Sequence, residues 1–180
     1  MAKEDVAVAI YNTHLEAEQA VKTLEKAGFA MKQLSIVGKD YHTEEHVTGY
    51  YNAGDRMKYW GKMGAFWGGI WGLLLGGAFF AVPGIGPVLV AGPLVAWIVA
   101  ALEGAAVFGG VSAIGAGLYS VGIPKNSVLR YETALKADKF LIIAHGTAEE
   151  VTKAQDILRT TRAAEIGMHA GQLPQQAATV

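Results

Sequence analysis

The chain has 180 residues, a formal net charge of −1 and no cysteine. That length suits one globular domain, or one domain with an insert. Near-neutral charge with no Lys/Arg stripe excludes a general nucleic-acid footprint. The missing thiol excludes disulfides, thiolate catalysis and Cys-based metal sites.

Asp5 to Asn12 alternates as a strand, with Val6, Val8 and Ile10 on one face. Thr13 then reads as an N-cap with Glu16 three positions on, in the manner of a capping box. Ala17, Ala20, Val21, Leu24 and Ala27 form a stripe at helical spacing, and Gly28 is a helix stop. Met31 to Gly38 reads as a second strand, completing a β-α-β unit. Lys39 to Lys62 is a polar, aromatic-rich linker.

From Met63 to Leu102 there is no charged residue and no Asn, Gln, His, Ser or Thr; Glu103 interrupts the run. Sixteen of the 23 glycines lie between Gly61 and Gly122. Gly64 to Val82 spans 19 residues, about 28 Å as a helix, close to the thickness of a hydrocarbon core. Val82 to Pro87 reads as a turn, and Pro93 opens a second helix running to about Tyr119. Residues 63–123 are therefore expected to form a glycine-rich, transmembrane-type helical hairpin. Both flanking strands belong to one sheet, so the chain leaves and returns on one side. Arg56, Lys58, Lys62 and Lys125 flank the hairpin, which by the positive-inside rule puts both termini in the cytoplasm of an inner-membrane protein.

After the insert, Asn126 to Ala137 patterns as a helix and Lys139 to His145 as the strongest strand. Thr147, with Glu150 at its N3 position, caps a helix over about Ala148 to Ala163; Glu165 to His169 is a last strand. Residues 1–38 and 124–170 are thus expected to be the two halves of a ferredoxin-like βαββαβ domain of the α+β class, split by the hairpin. Residues 171–180 read as a flexible tail.

Spacing inside the insert points to association. Gly64, Gly68, Gly72 and Gly76 recur every four residues, and Ala101, Ala105, Gly109, Ala113 and Gly117 repeat that spacing on the second helix. Small-xxx-small stripes let helix backbones approach closely, so these residues are assigned to packing or homo-oligomerisation. Glu103, an acid inside a membrane helix with no Lys or Arg between Lys62 and Lys125, is the one candidate intramembrane functional residue. A second helix that starts late would instead leave it near the headgroups.

Catalytic chemistry is not evident. His42-Thr-Glu-Glu-His46 matches an inverted zincin pattern formally, but it lies in a linker with no third ligand downstream and reads as solvated polar chain. Gly115-Ala-Gly117 lacks the third glycine of a dinucleotide fingerprint. No nucleophile, base and oxyanion donor assemble, so neither catalytic residues nor a metal or cofactor site is assigned.

Four strings resemble a bacterial general-stress-protein family, whose members are labelled heat-induced or low-temperature-induced. They are Gly49 to Lys62 (GYYNAGDRMKYWGK), Gly64 to Gly72 (GAFWGGIWG), Gly122 to Lys136 (GIPKNSVLRYETALK) and Phe140 to Gly146 (FLIIAHG). The resemblance extends over roughly residues 5 to 170. It implies a bacterial protein with a glycine-rich apolar insert in a small α/β domain, sometimes described as a membrane protein or loosely as a permease. It implies no catalytic residue.

Three functions fit these readings. The first is a non-enzymatic, membrane-associated, oligomeric stress-response protein, with itself and a lipid bilayer as partners and no nucleic acid. The second is a soluble homo-oligomeric (cytoplasmic) assembly packed through apolar hairpins. The third is a small channel or carrier using Glu103. No feature of the sequence specifies a small-molecule ligand.

Overall fold

The computed structural model describes residues 4–39, 77–82, 86–103 and 113–170, with side chains undescribed at a few positions within the insert's elements and at Lys39. The polar linker, the His42–His46 motif, Gly64, Gly68, Gly72, Gly76, Ala105, Gly109 and the C-terminal tail lie outside these residues.

The first β-α-β unit comprises β1 (Asp5–Tyr11), α1 (His14–Lys26) and β2 (Leu34–Lys39), with a 3-10 turn at Met31–Gln33. Thr13 caps α1, its side chain accepting from the Glu16 N–H at 3.2 Å. Glu16 reaches back one residue further than a capping box requires, accepting from the Asn12 N–H. Gly28 sits at φ +79° just beyond the helix, where a side chain would be strained.

The insert departs from the expected hairpin. Gly77–Val82 is a strand, β3, and Gly86–Ala91 is its antiparallel partner, β4. The following chain forms two short helices, α2 (Leu94–Glu103) and α3 (Ala113–Ser120), and then α4 (Lys125–Lys136). The second half closes with β5 (Phe140–Gly146), α5 (Ala148–Arg159) and β6 (Glu165–His169). Thr147 and Glu150 form a complete capping box at α5.

Among the described residues no helix is long and apolar enough to cross a membrane. At ten residues α2 spans about 15 Å, half a hydrocarbon core. The expected fold class, a ferredoxin-like domain split by a transmembrane-type helical hairpin, is therefore corrected to a mixed α+β fold. The inner-membrane placement and the cytoplasmic orientation of the termini rested on that hairpin and fall with it. The physical reason is that an apolar run serves a buried strand as well as a lipid-facing helix, and hydropathy alone does not separate them.

The sheet has six strands in the order β3-β4-β2-β5-β1-β6, every neighbouring pair antiparallel. Strands β2, β5, β1 and β6 interleave the two β-α-β units, and the β3–β4 hairpin extends the β2 edge. Alternation along the strands sends side chains to both faces, and both faces are covered. Ala9, Tyr11, Leu34, Ile36, Phe140, Ile142 and Ala144 pack with Ala17, Leu24 and Leu158 of α1 and α5. Val6, Val8, Ile10, Val37, Val88, Val90, Leu141 and Ile143 pack with Leu94, Ile98, Ile114, Leu118 and Tyr131 of α2, α3 and α4. The apolar insert thus supplies part of a third layer.

Two contacts seat that layer. The Leu94 N–H at the start of α2 donates to the buried Ser35 Oγ of β2 at 3.0 Å, a helix-terminal donor satisfied from a neighbouring strand. Gly92, at φ +95°, brings the chain so close to β2 that a Cβ there would lie 2.9 Å from the Ser35 Cα. Between the insert's helices, a Cβ on Gly117 would come within 2.5 Å of Ile98 Cγ1, so the glycine sets how near α3 approaches α2.

Candidate functional site

Two clusters of titratable side chains lie on the face covered by α2, α3 and α4. The first is at the end of β5. Leu141, Ile143 and His145 alternate onto this face, and His145 is 7% exposed. The Trp97 indole of α2 meets the imidazole edge-on, with centroids 4.7 Å apart and planes at 82°. His145 Nε2 stands 4.0 Å from Glu4, while Nδ1 is buried without a hydrogen-bond partner. Burial pushes the imidazole below its ordinary pKa, against the opposing pull of Glu4, the Gln33 main chain and Glu150. Next to it, Glu150 accepts from the Thr147 N–H at 2.9 Å and from Gln33 Nε2 at 3.0 Å. Those bonds hold its carboxyl below the usual range. Gly146, at φ +155°, leaves room for that pair: a Cβ would meet Glu150 Oε2 at 2.6 Å.

The second cluster joins α4 to the edge strand β6. The Tyr131 hydroxyl and His169 Nε2 share a hydrogen bond of 2.6 Å. Arg130 lies over the Tyr131 ring and pairs with Glu165 at 2.6 Å. Burial raises the Tyr131 pKa, and burial together with Arg130 lowers that of His169. Both shifts favour the neutral pair. The hydrogen bond links β6 to α4.

No group of three or more His, Asp or Glu able to hold a metal ion occurs among the described residues. A cleft of about 70 Å³ between α1 and the end of α5 is lined by Glu16, Gln19, Thr23, Thr160, Thr161 and Arg162. It is far smaller than a metabolite pocket.

The residues singled out from the sequence are dispersed. Glu103 is the last residue of α2, so its expected place within a membrane helix is corrected. Ala113 begins α3, and Gly117 packs against Ile98. His145 and His169, which the sequence marks only as strand ends, each anchor a cluster. Period-2 alternation placed His145 beside Leu141 and Ile143, which was the available signal. Nothing local announced Trp97 or Tyr131 as partners.

These features define an α+β protein in which His145 and Tyr131 are buried on one face of the sheet. Residues 6–80 match the family described as the heat induced stress protein YflT domain. That stretch runs from β1 through α1 and β2 into β3, and it supports the resemblance to bacterial general-stress proteins. No curated protein and no solved structure matches the chain.

Proposed function

We propose that the protein is a non-enzymatic stress-response protein that works by homo-oligomerisation through its apolar insert. The observation that carries this reading is the outward side of α2. Leu94 and Ile98 are fully buried against the sheet. Ala96, Val99 and Ala100 face away, exposed, and Val99 is 44% accessible. A helix on the surface of a monomer carries polar residues on its outer side; α2 has none from Leu94 to Leu102. An uncharged patch suits an uncharged partner, and a two-fold interface supplies it from a second copy of the same chain. The stripe Gly64, Gly68, Gly72 and Gly76 is assigned to the same association on its sequence spacing alone.

The match to a heat-induced stress domain supports the stress role. A carrier built on Glu103 is not proposed, because α2 is too short for the membrane helix it needs.

Light scattering coupled to gel filtration tests the reading. The full chain should run as a dimer or larger species, and Val99→Glu, which changes an exposed position, should shift it to monomer mass. A monomer across the accessible concentration range, or an unchanged mass for Val99→Glu, would overturn the assignment of α2 as the contact face.

A further inference from the structure

His145 stands where the sheet meets the insert. Its ring is wedged between β5 and α2, edge to face with Trp97, and α2 is itself tied to β2 through Ser35. One ring nitrogen is sealed in without a partner, while the other points toward the half-exposed carboxylate of Glu4. Among the described residues the charged groups acting on the ring are both acids, Glu4 ahead of β1 and Glu150 on α5, and the Gln33 main chain beside β2 acts in the same direction. From α2, the side chain that meets the ring is Trp97, which does not titrate.

We propose that His145 is a proton-operated latch that holds α2 on the sheet when neutral and releases it when protonated. The step is the uptake of one proton from solvent by the imidazole, with no other bond made or broken. An imidazolium has two N–H donors and a full charge; burial opposes that charge more strongly than Glu4, Gln33 and Glu150 favour it, and Nδ1 has no hydrogen-bond partner in place. Glu4, at the solvent boundary, offers the charged ring a carboxylate outside the packed interface. Movement of the ring toward Glu4 withdraws the imidazole from its contact with Trp97. The apolar face around Ile143, Val8 and Ile98 is then less completely covered. The inference concerns contacts of α2 within one chain and stands whether or not α2 is also a contact face between copies.

Burial keeps the ring neutral down to a pH below 6.5, so the latch operates on the acid side of neutrality. One proton taken up allows the opening equilibrium to rise by at most about tenfold per pH unit.

Amide exchange of the full chain, expressed as protection factors at pH ~7.5 and ~5.5, tests this. Protection in α2 should fall by up to about tenfold per unit below pH 6.5, while α1, on the opposite face, keeps its protection. His145→Gln should abolish the pH dependence in α2, and His169→Gln should leave it intact. An undiminished fall in His145→Gln, or equal falls in α1 and α2 of the unaltered protein, would overturn the latch. NMR titration of the unaltered chain is a second test that needs no variant. The His145 ring and the Trp97 indole N–H should shift along one curve, and an indole that ignores the His145 titration would also overturn it.

Discussion

Buried hydroxyls and imidazoles govern this protein at the residue scale. The Tyr11 hydroxyl bonds to Thr161 Oγ1 at 2.7 Å, tying the end of β1 to the turn after α5. Burial pushes its pKa up from 10.0 to about 12. Between those values the unfolded chain has lost the proton and the folded chain keeps it, so stability falls as pH rises through that window. Tyr11→Phe should cost about 1 kcal/mol at neutral pH through the lost hydrogen bond, and should flatten the alkaline loss. Urea unfolding at pH ~8 and ~11 measures both effects. The role of Tyr11 was only half legible. Alternation put it on the face with Ala7 and Ala9, but the position of Thr161 depends on how α5 returns along the sheet.

Among the elements, caps were the most readable. Thr13 and Thr147, each with Glu three residues on, mark the helix starts observed. Their bonds close within a few residues, so local sequence contains the whole interaction. The stretch from Gly77 to Ala91 was misread because its residues are uniformly apolar and carry no period. Short apolar strands need none. Pro87 is tolerated in β4 because β2 pairs only with Val88 to Ala91, so no bond to β2 is lost at the proline. The α2–α3 contact is the test at this scale. Gly117→Val should destabilise the fold by about 1–3 kcal/mol, since Ile98 already occupies the space a side chain would take. A denaturation midpoint equal to that of the unaltered chain would show that the helices separate freely there.

At the scale of the whole molecule, the described residues form a six-stranded sheet with helices on both faces. If the insert is part of the core, then Ile98→Ala in α2 should destabilise the sheet as Ile143→Ala in β5 does. Each should cost about 2–5 kcal/mol, because each empties a site with no solvent exposure. Chemical denaturation followed by far-ultraviolet circular dichroism measures both. A loss confined to Ile143→Ala would mean that the insert contributes little to the stability of the sheet.

By itself the sequence determined the pattern of the two β-α-β units, their caps, and the existence of a long apolar insert between them. Those features depend on residues within a turn of one another, or on the period of a single strand. The destination of the described parts of the insert was decided only in the tertiary structure. Hydropathy measures the preference for leaving water and does not distinguish lipid from the uncovered face of a sheet. The antiparallel pairing of β4 with β2, the Ser35 cap on α2 and the meeting of Trp97 with His145 join residues far apart in the chain. Each depends on backbone polar groups and ring edges finding partners in three dimensions.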